Sequence, residues 1–165
     1  MRFAAITVLL FATAARAADE PIADYSGTYI CKATAAGGLA YDPGTKTWSS
    51  TTFNVNDSTY TVKVIDTGKI EQMFTLKGRV YKISVKKFGS EEKADFCRGF
   101  SDEGFTDEVS SVGERFECRN FGYDYAFNFK SLRYLIKFEG GFVWSDDRNN
   151  HDTPYVEGGK CDKID

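Results

Sequence analysis

Between Gly122 and Phe138 the chain alternates between apolar and polar positions. Tyr123, Tyr125, Phe127 and Phe129 fall on every second residue, and Leu132, Tyr134, Ile136 and Phe138 do the same. The opposite positions hold Asp124, Ala126 and Asn128 in the first run, and Arg133, Leu135 and Lys137 in the second. Side chains of a strand alternate between its faces, so this spacing predicts an antiparallel hairpin with one dry face and one wetter face. The same pattern recurs upstream. Thr28–Thr34 puts Tyr29, Cys31 and Ala33 on one face, and Thr59–Asp66 sets Tyr60, Val62 and Val64 against Thr61, Lys63 and Ile65. Lys69–Lys77 is expected to turn Ile70, Phe74 and Leu76 inward, and Arg79–Lys87 to align Tyr81, Ile83 and Val85.

The remaining segments are shorter. Thr47–Val55 is a strand carrying Trp48 and Phe53, Phe96–Phe100 a short one, and Arg115–Phe121 leads into the hairpin. Phe142–Trp144 and Tyr155–Ile164 complete the set. Asp42–Lys46, Asn56–Ser58, Thr67–Gly68 and Gly78 punctuate these runs as turns or breaks, because proline presets φ and glycine accepts positive φ. Asn56–Ser58 also reads as a glycosylation sequon, and the turn is the preferred reading. Ser101–Glu114, rich in Asp, Glu, Ser and Gly, is expected to be a mobile loop. Short strands spaced by glycine-bearing turns predict an all-β meander. An antiparallel up-and-down β-barrel of lipocalin or calycin type removes exposed edges most directly, and a two-sheet β-sandwich is the alternative.

Residues 1–17 have the make-up of a signal peptide: Arg2, an apolar run from Phe3 to Ala14, and Ala15-Arg16-Ala17 before the expected cut. The apolar run is shorter than the ~20 residues of a membrane span. Removing 17 of the 165 residues leaves 148, a single domain over residues 18–165. Without Arg2 and Arg16 the 21 basic residues become 19 against 24 acidic ones, a net charge of −5. That balance argues against a nucleic-acid partner, and no basic amphipathic helix suggests a membrane surface.

All four cysteines follow the cut, and an even count in an exported chain reads as two disulfides. Three connectivities are open. The favoured one joins Cys97 to Cys118 across the acidic loop and Cys31 to Cys161, tying the first strand to the last. Without Cys-x-x-Cys, and with one histidine, a thiol-redox or zinc site is disfavoured. His151 sits in the polar stretch Ser145–Thr153 with no nucleophile motif near it. Asp146, Asp147, Asn149, Asn150 and Asp152 offer oxygens to calcium, but the EF-hand spacing fails. Asp102, Glu103, Asp107 and Glu108 lie in a charged loop that offers no burial to a glycosidase pair. No cofactor and no catalytic residue is assigned.

The aromatic share, 15% of the chain, is the main remaining signal. Tyr60, Phe74, Tyr81, Phe116, Tyr125, Phe127, Tyr134 and Phe138 are the residues expected to point into a barrel. They either fill it as core, the preferred reading, or line a calyx for a small apolar ligand.

The block Thr153–Ile164, TPYVEGGKCDKI, together with Phe127-x-Phe129 and Arg133, resembles small uncharacterised exported proteins of alphaproteobacteria. That resemblance implies a location and no activity. Tyr29-Ile30-Cys31 is similar to the start of bacterial lysozyme inhibitors, although their Ser- and Lys-bearing inhibitory motif has no counterpart here. The expectation is therefore a periplasmic or secreted, non-enzymatic protein. It would bind a small apolar ligand or, alternatively, inhibit or engage a protein partner through its loops, with no membrane anchor.

Overall fold

The computed structural model describes residues 21–101, 104–111, 114–140, 142 and 153–165. The expected signal peptide and the Asp146–Asp152 stretch with His151 lie outside these residues, as do Asp102, Glu103 and Trp144. The described chain is all-β and antiparallel. Its strands are β1 (Gly27–Asp42), β2 (Thr47–Thr52), β3 (Thr59–Met73), β4 (Leu76–Lys87), β5 (Asp95–Cys97) and β6 (Gly99–Ser101), then β7 (Gly104–Thr106), β8 (Val109–Ser110), β9 (Phe116–Asn120), β10 (Tyr123–Asn128), β11 (Arg133–Phe138) and β12 (Tyr155–Lys163).

The main sheet runs β5-β4-β3-β1-β12-β11-β10-β9, with β2 on β1 and β8 on β4. The first and last strands are thus neighbours in the middle of the sheet. Its two outer strands are also joined. Arg98, just after β5, exchanges two 2.9 Å backbone hydrogen bonds with Arg119 of β9, and Cys97 is bonded to Cys118. A single bridge, with no continuous ladder, connects these edges among the described residues.

Period-two alternation decides which side chains are enclosed. Tyr29, Cys31 and Ala33 of β1, Val62 and Val64 of β3, Tyr81, Ile83 and Val85 of β4, and Tyr134 and Ile136 of β11 are all buried. Their neighbours Lys63, Ile65, Lys82, Arg133, Leu135 and Lys137 are exposed. At one end of the sheet the enclosed space is solid. Phe116 packs edge-on against Tyr25, Tyr81 and Phe129 with ring centroids 4.9–5.6 Å apart, and Phe129 lies 4.5 Å from Tyr29. Each fully buried ring, such as that of Phe116, contributes roughly 1.5–3 kcal/mol through burial. The segment before β1 closes this end: the Tyr25 backbone N–H donates to the Tyr81 hydroxyl at 3.0 Å, and the Tyr29 hydroxyl donates to the Tyr25 carbonyl at 2.9 Å.

Several expectations change. Thr67–Gly68 is a bulge inside β3: the register shifts between Asp66 and Ile70, the Asp66 carboxylate accepts from the Gly68 N–H, and Arg79 grips Asp66 at 2.6 Å. Gly78 lies within β4 instead of breaking it. The hairpin therefore continues past the core to a two-residue turn at Phe74-Thr75, and Ile70, Phe74 and Leu76 face solvent. The alternation there was real, but beyond the end of the core neither face has anything to cover it. Ser101–Glu114 holds β7 and β8, and Val109 is buried, so the acidic stretch is pinned to β4 through Val109.

Candidate functional site

The end of the sheet opposite the aromatic plug is open. There the start of β10, the β4–β5 connection and the start of β12 border a cavity of about 280 Å³. Its wall is contributed by strand residues of inward parity: Tyr60 of β3, Val85 of β4, Tyr123 and Tyr125 of β10, Ile136 of β11 and Tyr155 of β12. Its mouth carries Lys86, Lys87, Ser90, Glu92, Lys93 and Asp95. The β9–β10 turn that precedes Tyr123 has positive φ at both central residues, Phe121 and Gly122, the backbone of a type I′ hairpin turn.

Glu157 lies directly behind this wall. It is only 3% exposed, pairs across the ladder with Ile136, and shares the inward parity of Tyr155 and Cys161 on β12. The Tyr134 hydroxyl donates to its Oε1 at 3.4 Å, and the Tyr60 hydroxyl lies against the same carboxylate. Among the described residues no lysine or arginine forms an ion pair with it. Burial, and next the negative charge of Glu157, push the phenols of Tyr60 and Tyr134 far above the ordinary tyrosine range. Burial is also the first cause for Tyr125 and Tyr155, followed by the adjoining Tyr123 phenol. These four hydroxyls remain protonated at neutral pH, so each can donate a hydrogen bond.

The residues expected to face inward thus separate into four places. Tyr60 and Tyr125 line the cavity, and Tyr134 lies beneath it on Glu157. Phe138 is half-buried at the rim, its ring 4.6 Å from Tyr123 and 5.6 Å from Tyr155. Tyr81, Phe116 and Phe127 belong to the solid end and touch no open space. Phe74 stands in solvent, 91% exposed, at the tip of the β3–β4 hairpin. Alternation put Tyr123 on the dry face of the hairpin without singling it out as a lining residue, whereas Tyr155 and Glu157 were overlooked. The clue was the parity of β12: with Cys161 facing inward, Glu157 and Tyr155 had to face inward as well.

A larger hollow of about 420 Å³ lies outside, between the β6–β7 hairpin and the outer face of β9–β11. Its cations are neutralised locally: Arg119 and Lys137 both hold Asp124, Arg115 holds Glu117, and Arg98 faces Asp107. Of the acidic loop, Glu108 pairs with Lys69 at 2.8 Å, so it does not face a second carboxylate across a cleft. All four cysteines are paired, Cys31 with Cys161 and Cys97 with Cys118, the favoured connectivity. Among the described residues no group of three or more His, Cys, Asp or Glu side chains is arranged to hold a metal ion, and no helix is long and apolar enough to cross a membrane.

Comparison with protein-family models, curated proteins and solved structures finds no match to this chain.

Proposed function

We propose that this is an exported binding protein that holds one small molecule in the tyrosine-walled cup. A single contrast carries the reading: the same sheet is packed solid with aromatic rings at one end and hollow at the other. A chain filling its interior for stability alone has no reason to leave one end open, whereas a ligand site needs concavity with a few placed polar groups. At about 280 Å³ the cavity lies just below the usual range of ~300–1,000 Å³ for ligand sites, which suits one ring or a short chain. Its wall is aromatic but bears several hydroxyl donors, so the ligand is amphipathic and not purely apolar.

The curled sheet is read as an up-and-down barrel. The Arg98–Arg119 bridge and the Cys97–Cys118 disulfide support this by joining the outer strands that a two-sheet sandwich would leave apart. Export to the periplasm or medium is supported by the two disulfides and by the signal-peptide pattern. The test is native mass spectrometry of protein purified from its own compartment, followed by a thermal-shift screen of single-ring compounds. Retained ligand, or stabilisation lost in Ser90→Trp at the mouth, supports the cup. A screen in which no compound stabilises the protein removes it.

One observation favours a second reading, an inhibitor working through a loop: Phe74 is held out on a long hairpin with Ile70 and Leu76 exposed beside it. A lysozyme-inhibition assay that responds to Phe74→Ala supports that alternative, and absence of inhibition excludes it for this enzyme class.

A further inference from the structure

We propose that the cup selects a small ligand bearing a cationic amine, with Glu157 as its counter-charge and Tyr60 as the link between them. The proposal rests on the cup being a ligand site and goes on to name the chemistry of its occupant.

Glu157 is the reason. A carboxylate removed from water is costly unless a cation or several strong donors replace its hydration. Glu157 is 97% enclosed, yet the one side-chain hydrogen bond it accepts among the described residues comes from a neutral phenol, Tyr134, at a long 3.4 Å. Other acidic side chains of the fold have basic partners: Asp66 has Arg79, Asp124 has Arg119 and Lys137, and Glu108 has Lys69. The enclosed carboxylate beside the cavity is left without one among the described residues.

The cavity supplies the rest. Tyr60 lines it and also lies against Glu157. A phenol can accept one hydrogen bond while donating another. An ammonium in the cup can therefore donate to the Tyr60 oxygen while the Tyr60 proton is held by Glu157, and the two full charges face each other across one hydroxyl in a poorly hydrated space. Tyr123, Tyr125 and Tyr155 line the cup as well, and a cation seated over an aromatic ring is further stabilised. At the mouth, Lys86, Lys87 and Lys93 alternate with Glu92 and Asp95, and these water-exposed charges are screened far more than the enclosed one.

The experiment is calorimetric titration of the mature, disulfide-intact protein with 2-phenylethylamine, 2-phenylethanol and 3-phenylpropionate at neutral pH. The expected result is tightest binding of the amine, at least about tenfold better than the alcohol, with the carboxylate weakest. Glu157→Gln should abolish the preference for the amine while leaving the alcohol unchanged. Tyr60→Phe, which keeps the ring, should reduce the same preference and reads it out if the Gln variant does not fold. Equal binding of amine and alcohol, or a preference that survives both substitutions, overturns the assignment of Glu157 while the cup stands as a site. Binding of none of the three, with unmoved amide resonances at Tyr60, Tyr125 and Tyr155, overturns both.

Discussion

Cys31 and Cys161 stand directly opposite each other in the β1–β12 ladder, their Cα atoms 3.9 Å apart and their sulfurs bonded. The bond spans 130 residues of sequence and lies in the middle of the sheet, so it fixes the place where the first and last strands meet. The second bond, Cys97 to Cys118, spans only 21 residues but joins the outer strands.

The two bonds differ in their expected contribution. In the chain-entropy picture a loop of this greater length gives about 4–5 kcal/mol, and the shorter loop about 3 kcal/mol. Cys31→Ala with Cys161→Ala should therefore lower the urea midpoint more than Cys97→Ala with Cys118→Ala. Equilibrium unfolding of both double variants checks the order.

Phe116 and Phe74 look alike in the sequence and are opposites in the fold. Phe116 is fully buried among three other rings, so Phe116→Ala should cost about 3–5 kcal/mol. Phe74 is 91% exposed and has φ near 56°, a left-handed conformation that costs a side chain about 1–2 kcal/mol. Phe74→Gly should stabilise the protein by up to ~1 kcal/mol. Chemical denaturation of the two variants should move in opposite directions.

That pair shows where the sequence is readable and where it is not. Parity is a local property, and it correctly enclosed Tyr29, Cys31, Val62, Val64, Ile83, Tyr134 and Ile136. It carries no information on how far a strand outlasts the core, so Ile70, Phe74 and Leu76 kept the pattern and lost the burial. The turn was misplaced for a related reason. Thr67-Gly68 has turn chemistry but forms a bulge, whereas the true turn starts with phenylalanine at a position where glycine is usual. The cup was half legible. Tyr60 and Tyr125 follow from alternation, but no sequence pattern says which end of a sheet is plugged, and that was decided by the packing of Tyr25, Phe116 and Phe129. Glu157 was legible in principle, since Cys161 sets the parity of its strand.

Gly159 is a site of backbone contact. It pairs with Ala33, beside the bulge between Ala33 and Ala35 in β1. A Cβ there would lie 2.0 Å from the Lys32 carbonyl oxygen and 2.8 Å from the Ala33 Cα, both backbone atoms that cannot step aside singly. Gly159→Ala should force β12 away from β1 next to the Cys31–Cys161 bond, at about 1–3 kcal/mol. Gly68→Ala is a useful contrast: its Cβ would meet nothing within 4 Å, so any loss there comes from its φ of 76° alone. Thermal denaturation should show the larger drop for Gly159→Ala, accompanied by changed amide exchange at Cys31 and Cys161.

Alkaline pH should unfold the protein through its tyrosines. Burial pushes the Tyr81 phenol up from 10.0 to about 12, and it pushes Tyr60, Tyr125, Tyr134 and Tyr155 higher still. A phenol is neutral when protonated, so these residues favour the fold as long as they keep their protons. Between pH 10 and about 12 the unfolded chain has released the Tyr81 proton while the folded chain retains it, so the unfolded state binds fewer protons. Stability must then fall as pH rises through that window, and this contribution is complete below the unfolded value. The steepest loss comes when the cup tyrosines can ionise only by unfolding. Phenolate absorbance followed with pH should therefore rise in a late cooperative step that coincides with loss of near-ultraviolet circular dichroism. Gradual ionisation centred on the ordinary phenol value, with the dichroism intact, would show that these rings are open to water.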